Sequence, residues 1–210
     1  MDLNTMRDIL RRDLKDEDPA NYRWSDDELD RHIAHAVKEF SEAVPLPAEA
    51  TLPTTPASRV IDISSLTDRV MVEAAEYPIG KFPPAYQRFA LWGHALTIFG
   101  DEVPDGSNCI VYYGMLHTLD AQGSTIPAKH EDLIAVGAGG YAAVGWASYA
   151  INKVSLGGTD TPGEFLNWGN AKLKQFRSEL KRLGRRNRVR VRSLYKPYYS
   201  PVSKSTDYGP

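Results

Sequence analysis

The stretch PLPAEATLPTTPA, residues 45–57, carries four prolines and splits the chain into two kinds of pattern. Proline lacks a backbone N–H and clashes with the helical turn before it, so no helix runs through such a stretch. Upstream of it apolar residues recur at helical spacing, and downstream they cluster in short β-branched and aromatic runs. The segment therefore reads as a connection into a different structural layer.

Upstream, Leu3, Met6, Ile9 or Leu10, and Leu14 predict a short amphipathic helix that DEDPAN, with Pro19, brings to a stop. A second helix opens at SDDE, where Ser25 as N-cap and Glu28 three residues on make a capping box. Leu29, Ile33, Val37 and Phe40 mark its buried face, and Trp24 is placed to staple onto Leu29.

Downstream, RVIDIS (59–64), RVMVEAAEY (69–77), RFALW (88–92), ALTIF (95–99) and CIVYY (109–113) predict a small antiparallel sheet, with a tight turn at Gly93–His94. Helices return after Pro127. Residues 130–152 are apolar nearly all round and rich in Gly and Ala, which predicts a central helix. Gly137, Gly139 and Gly140 each cost about 1 kcal/mol against alanine, so close packing has to compensate. Thr161, Pro162 and Glu164 signal the start of a last helix, and Phe165, Trp168 or Gly169, Leu173, Phe176, Leu180 and Leu183 carry its stripe. Gly184 is expected to end it as a left-handed C′ residue. The fold class is α+β: a helical bundle from residues 1–44 and 127–184, a β insertion over 58–116, and an extended C-terminal tail over 185–210.

The formal net charge of −2 hides an asymmetry that bears on partners. Residues 184–210 hold seven Lys/Arg and one acid, leaving residues 1–183 at −8. An acidic body with a basic tail points to an acidic partner for the tail. It makes a poor platform for coating DNA, and the N-terminal end of the second helix, Ser25–Asp26–Asp27–Glu28, would repel phosphate. A single cysteine, Cys109, excludes an internal disulfide and a multi-cysteine zinc site. No catalytic constellation emerges. His32 and His35 share a helix face but want a third metal ligand. The glycine run at 136–143 lacks the spacing of a phosphate cradle, and Cys109 begins a strand as a buried thiol. No cofactor, metal site, membrane span or signal peptide is expected.

The succession RRDLKDEDPANYRWSDDELDRHIAHAVKEFS, then VEAAEYPIGKFPPAYQRFALWGHALTIFG, then VYYGMLHTLD with STIPAKHEDLIAVGAGGYAAVGWA resembles the head-to-tail adaptor (connector, or head-completion) proteins of tailed bacteriophages, the tail-tubular adaptors of short-tailed phages among them. The resemblance spans roughly residues 1–183. It implies a non-enzymatic virion protein made in the host cytoplasm. Such a protein forms a ring, commonly a dodecamer, in the neck between portal protein and tail or nozzle protein. The ring extends the channel through which genome DNA passes without sequence-specific binding.

The tail lies outside that resemblance. Arg185, Arg186, Arg188, Arg190 and Arg192 cluster there, and Val189 and Val191 alternate with the last three, the period of an extended strand. Tyr195, Tyr198 and Tyr199 follow as interface anchors. This composition predicts a docking segment for the portal or a neighbouring subunit, ordered on assembly. The alternative is a nucleic-acid-binding protein that uses the same basic tail.

Overall fold

Local capping sets the first helices. Asp2 accepts the Thr5 N–H at 2.8 Å and opens α1 (Leu3–Leu14), which ends at Lys15 in the left-handed conformation. In α2 (Asp26–Ala43) the Ser25 hydroxyl accepts the Glu28 N–H while the Glu28 carboxylate accepts the Ser25 N–H, the reciprocal box expected from SDDE. Trp24 is buried with Leu29, and its indole N–H donates to the Ala142 carbonyl at 3.2 Å.

The computed structural model describes residues 1–100, 103–150 and 162–194, with side chains through residue 187. They divide into a helical unit, Met1–Leu46 with Leu116–Arg185, and a β unit built on Pro47–Met115.

In the helical unit a 3₁₀ turn, Ala128–His130, leads into α3 (Glu131–Ala150), and α4 runs over Pro162–Leu194. The core joins Met6 and Leu10 of α1, Ile33, Val37 and Phe40 of α2, Ile134 and Ala138 of α3, and Phe176 and Leu180 of α4. As its composition predicts, α3 is central. A Cβ on Gly137 would meet the Phe176 ring at 2.9 Å, and one on Gly140 would meet Leu173 at 2.9 Å and the Gly169 carbonyl at 3.2 Å. Those glycines let α3 and α4 cross almost backbone to backbone. Ala128–Ala150, with a mean hydropathy of 1.2, is long and apolar enough to cross a membrane. That revises the expectation that no run approaches such a length, although ten α3 residues lie in the bundle interior. The unit also holds a two-stranded hairpin, described below, that no sequence signal announced.

The β unit differs from the single sheet expected. Its strands are β1 (Leu46–Pro53), β2 (Val60–Asp62), β3 (Arg69–Glu76), β4 (Tyr86–Gln87), β5 (Phe89–Trp92), β6 (Ala95–Ile98) and β7 (Asn108–Met115). They form two sheets, ordered β1-β7-β3-β4 and β2-β6-β5, around one core that includes Ile61, Ile63, Val72, Leu96, Ile98, Cys109 and Val111. The remaining two strands, β8 (Leu119–Asp120) and β9 (Gly123–Ser124), make the hairpin of the helical unit. The turn at Gly93, φ +59°, joins β5 to β6 as expected.

β1 occupies the proline-rich stretch read as a mere connection. Leu46, Ala48, Ala50 and Leu52 turn inward while Pro47, Glu49, Thr51 and Pro53 are exposed. The Thr54 N–H donates to the Ser107 carbonyl, so even-numbered N–H groups of β1 face β7. Pro47 and Pro53 sit on odd positions, where the missing N–H falls on the free edge of the sheet.

The C-terminal expectation is corrected as well. Gly184 does not end the last helix. Its φ is not positive, and α4 continues through it to Leu194. The backbone of Arg188, Val189, Arg190, Val191 and Arg192 is therefore helical and not an extended strand. Arginine is a good helix former, and a helix already fixed by about seven preceding turns propagates at low cost. Thr161 and the tyrosines Tyr195, Tyr198 and Tyr199 lie outside the described residues.

Candidate interaction surfaces

Of the sequence-predicted docking residues, Arg185 and Arg186 are exposed on α4, and Arg188 to Arg192 continue the same helix. The helical course gives the basic run a new neighbourhood. At 100° per residue, Lys174, Lys181 and Arg185 fall within a narrow face, over about 16 Å of helix. All three are exposed and have no ion-pair partner among the described residues. Arg177 shares that face but is engaged: it donates to the Tyr141 hydroxyl at 3.1 Å and lies 3.7 Å from Glu39. Tyr141 also donates to Glu39 and stacks on His35 at 4.1 Å. Burial, then the hydrogen bond to Glu39, raise the Tyr141 hydroxyl above its ordinary pKa.

The opposite charge collects at the turn between α1 and α2. Its scaffold is Arg11, only 6% exposed, whose guanidinium donates to Asp16 at 2.8 Å, to the Trp24 carbonyl at 3.1 Å and to Asp26 at 2.7 Å. Asp16 also accepts the Arg23 N–H at 2.6 Å. The Asp26 carboxyl is held below its usual range, chiefly by the Arg11 hydrogen bond. With the inner charges thus satisfied, Asp13, Glu17 and Asp27 project outward, exposed and in no salt bridge among the described residues, Arg7 acting on Asp27 only at longer range. The adjoining cleft, about 260 Å³, is lined by Asp13, Lys15, Arg23, Glu164, Phe165 and Trp168. Arg23 lies over the rings of Trp146 (4.7 Å) and Phe165 (4.9 Å).

The β unit carries a third surface. In the β2-β6-β5 sheet, Val60 stands beside Thr97 and Ala90, and Asp62 beside Ala95 and Trp92. These residues form the outer face; Val60 is 48% and Trp92 89% exposed. Phe99 (56%) continues the alternation, and Phe82, in the loop before β4, is wholly exposed. The sequence runs RFALW and ALTIF place Trp92 and Phe99 on strands without showing that they face outward, and Phe82 lies outside every run. The alternation of Ala95, Thr97 and Phe99 against buried Leu96 and Ile98 was the available signal.

The residues considered for chemistry do not converge. His32 is buried against Gly145, and burial lowers its pKa, whereas His35 is exposed and stacks on Tyr141. Among the described residues no three His, Cys, Asp or Glu side chains gather as metal ligands. Cys109 is buried, and burial followed by the charge of Glu76 pushes its thiol up to about 11, leaving a poor nucleophile. Residues 136–143 lie inside α3, where their glycines serve helix packing. In the loop after Gly100, Asp101 and Glu102 lie outside the described residues, while Asp105 accepts from the Tyr77 hydroxyl (2.9 Å) and the Ser107 N–H (2.8 Å). Those hydrogen bonds, the Ser107 backbone first, lower its carboxyl to about 2.

No protein-family model matches this chain, and no curated protein matches it.

Proposed function

We propose that this chain is a structural virion protein that assembles as a ring adaptor between a phage portal and the tail, extending the DNA channel. The observation that carries the proposal is the set of exposed, unsatisfied surfaces: a cationic helix face, an acidic corner and an aromatic sheet face. Solitary proteins seldom leave a tryptophan 89% exposed on a sheet face next to other apolar residues, and such groups are anchors when a neighbour covers them. The order of elements that resembles the phage adaptors supports the same reading. The portal protein, the tail or nozzle protein and further copies of the chain are its partners, and DNA passes without being read. Acidic surface turned to the lumen would keep DNA from adhering in transit. Co-sedimentation of the purified chain with portal particles tests the proposal: the chain is expected to travel with the portal. A chain that stays at the top of the gradient with every portal tried would defeat it.

One observation favours the second reading, nucleic-acid binding. The arginine run continues a helix that already displays Lys174, Lys181 and Arg185 in a row, and a row of cations suits a phosphate backbone. It predicts duplex binding that weakens steeply with salt and disappears when residues 185–210 are removed. Salt-insensitive or undiminished binding counts against it.

A further inference from the structure

The helical unit is electrically polar from end to end. Trp24 and Trp146 meet Phe165, so the acidic α1–α2 corner sits beside the start of α4. Gly184 lies against Ala43, so the cationic stretch of α4 sits beside the end of α2. Along α4 nine residues separate Phe165 from Lys174 and twenty separate it from Arg185, about 14 to 30 Å of helix. The Debye length at physiological salt is about 8 Å, so the two charge groups of one copy cannot neutralise each other. Both remain available to a neighbour, and each is what the other lacks.

We propose that copies of this chain associate head to tail, the Lys174–Lys181–Arg185 face of one copy against the Asp13–Glu17–Asp27 corner of the next. This inference rests on the ring reading above and names the surfaces that would join the copies. A contact between two different patches is heterologous; it repeats until the rotation between copies closes a ring. A cationic row paired with carboxylates also explains why those six side chains make no salt bridge among the described residues. Phosphate could satisfy the cations alone, but it would leave the acidic corner unanswered.

The experiment uses three variants of the full chain: Lys174→Glu with Lys181→Glu and Arg185→Glu; Asp13→Lys with Glu17→Lys and Asp27→Lys; and all six together. Every position is exposed and in no salt bridge among the described residues, and circular dichroism verifies folding. Association is measured by sedimentation velocity at low and high salt, and in parallel each protein is imaged with portal. The natural chain should associate more strongly at low salt. Each single-face variant should lose roughly 100-fold or more, because like charges then oppose one another. The six-fold variant should recover association to within about tenfold of the natural chain, its complementarity being restored in reverse. Single-face variants that associate normally, a six-fold variant no better than they are, or a natural chain monomeric at low salt would overturn the inference. A tight duplex-DNA complex lost only in the cationic-face variant, without change in self-association, would also overturn it. Portal decoration that survives in the single-face variants removes this inference and leaves the adaptor reading standing. Charge-dependent self-association without any portal decoration does the reverse.

Discussion

Alanine at two glycines should change stability in opposite directions, and the signs follow from geometry. In a helix interior, Gly→Ala gains about 1 kcal/mol from backbone entropy and propensity alone. At Gly184 the new methyl would lie 3.5 to 3.7 Å from Ala43, ordinary contact distance, and φ is not positive. Gly184→Ala should therefore stabilise the helical unit by about 0.5–1 kcal/mol. At Gly140 the methyl would stand 2.9 Å from Leu173 and 3.2 Å from the Gly169 carbonyl, which is backbone and cannot swing aside. Overpacking costs about 1–3 kcal/mol, and a fixed backbone neighbour places it in the upper part, about 2–3, so Gly140→Ala should come out about 1–2 kcal/mol destabilising after the propensity gain. Thermal unfolding followed by helical circular dichroism reads both. With about 3 °C per kcal/mol for a chain of this size, Gly184→Ala should rise by about 1.5–3 °C and Gly140→Ala fall by about 3–6 °C. A fall at Gly184 would mean that the residue is a left-handed stop and that the helix ends there. A rise at Gly140 would mean that α3 and α4 are not in close contact.

Arg11→Met should destabilise the helical unit by about 3–5 kcal/mol, because it leaves the buried Asp16 carboxylate facing a lost partner; chemical denaturation checks this, and a change under about 1 kcal/mol would contradict it. Asp105 should titrate near 2 by carbon-detected NMR. Since its folded value is depressed below the usual 3.9 or so, its hydrogen bonds stabilise the turn fully above that value and lose their contribution as pH falls through about 2. A midpoint near 4 would mean that the Tyr77–Asp105–Ser107 turn is open in solution. Cys109 should resist a thiol reagent at neutral pH and react only on unfolding; rapid labelling of the folded protein would place it at the surface.

The α+β class and the helix starts were legible because their signals are local. Ser25 and Glu28 lie three residues apart, and a capping box needs nothing from the rest of the chain. The alternation in β2, β3, β5, β6 and β7 was equally plain. β1 was hidden because Pro47 and Pro53 argue against a strand until one knows that their nitrogens face a free edge, a property of sheet order. Gly184 misled for a related reason: a glycine near the end of a periodic stripe looks like a stop, and only its seat against Ala43 and its φ say otherwise. The basic run shows the same limit. Its arginines were visible, but Lys174 and Lys181 join them only when the helix continues. That the acids of the α1–α2 turn sit at the opposite end from Arg185 depends on which helix ends meet, and no linear pattern encodes that.

Whether this chain closes a ring on a portal is decided by electron microscopy of the two purified proteins mixed together. A second ring is expected, stacked coaxially on the portal, with regular rotational symmetry and a central channel wide enough for duplex DNA. Bare portals beside a monomeric chain, across salt concentrations and with the full C-terminal residues present, would contradict it.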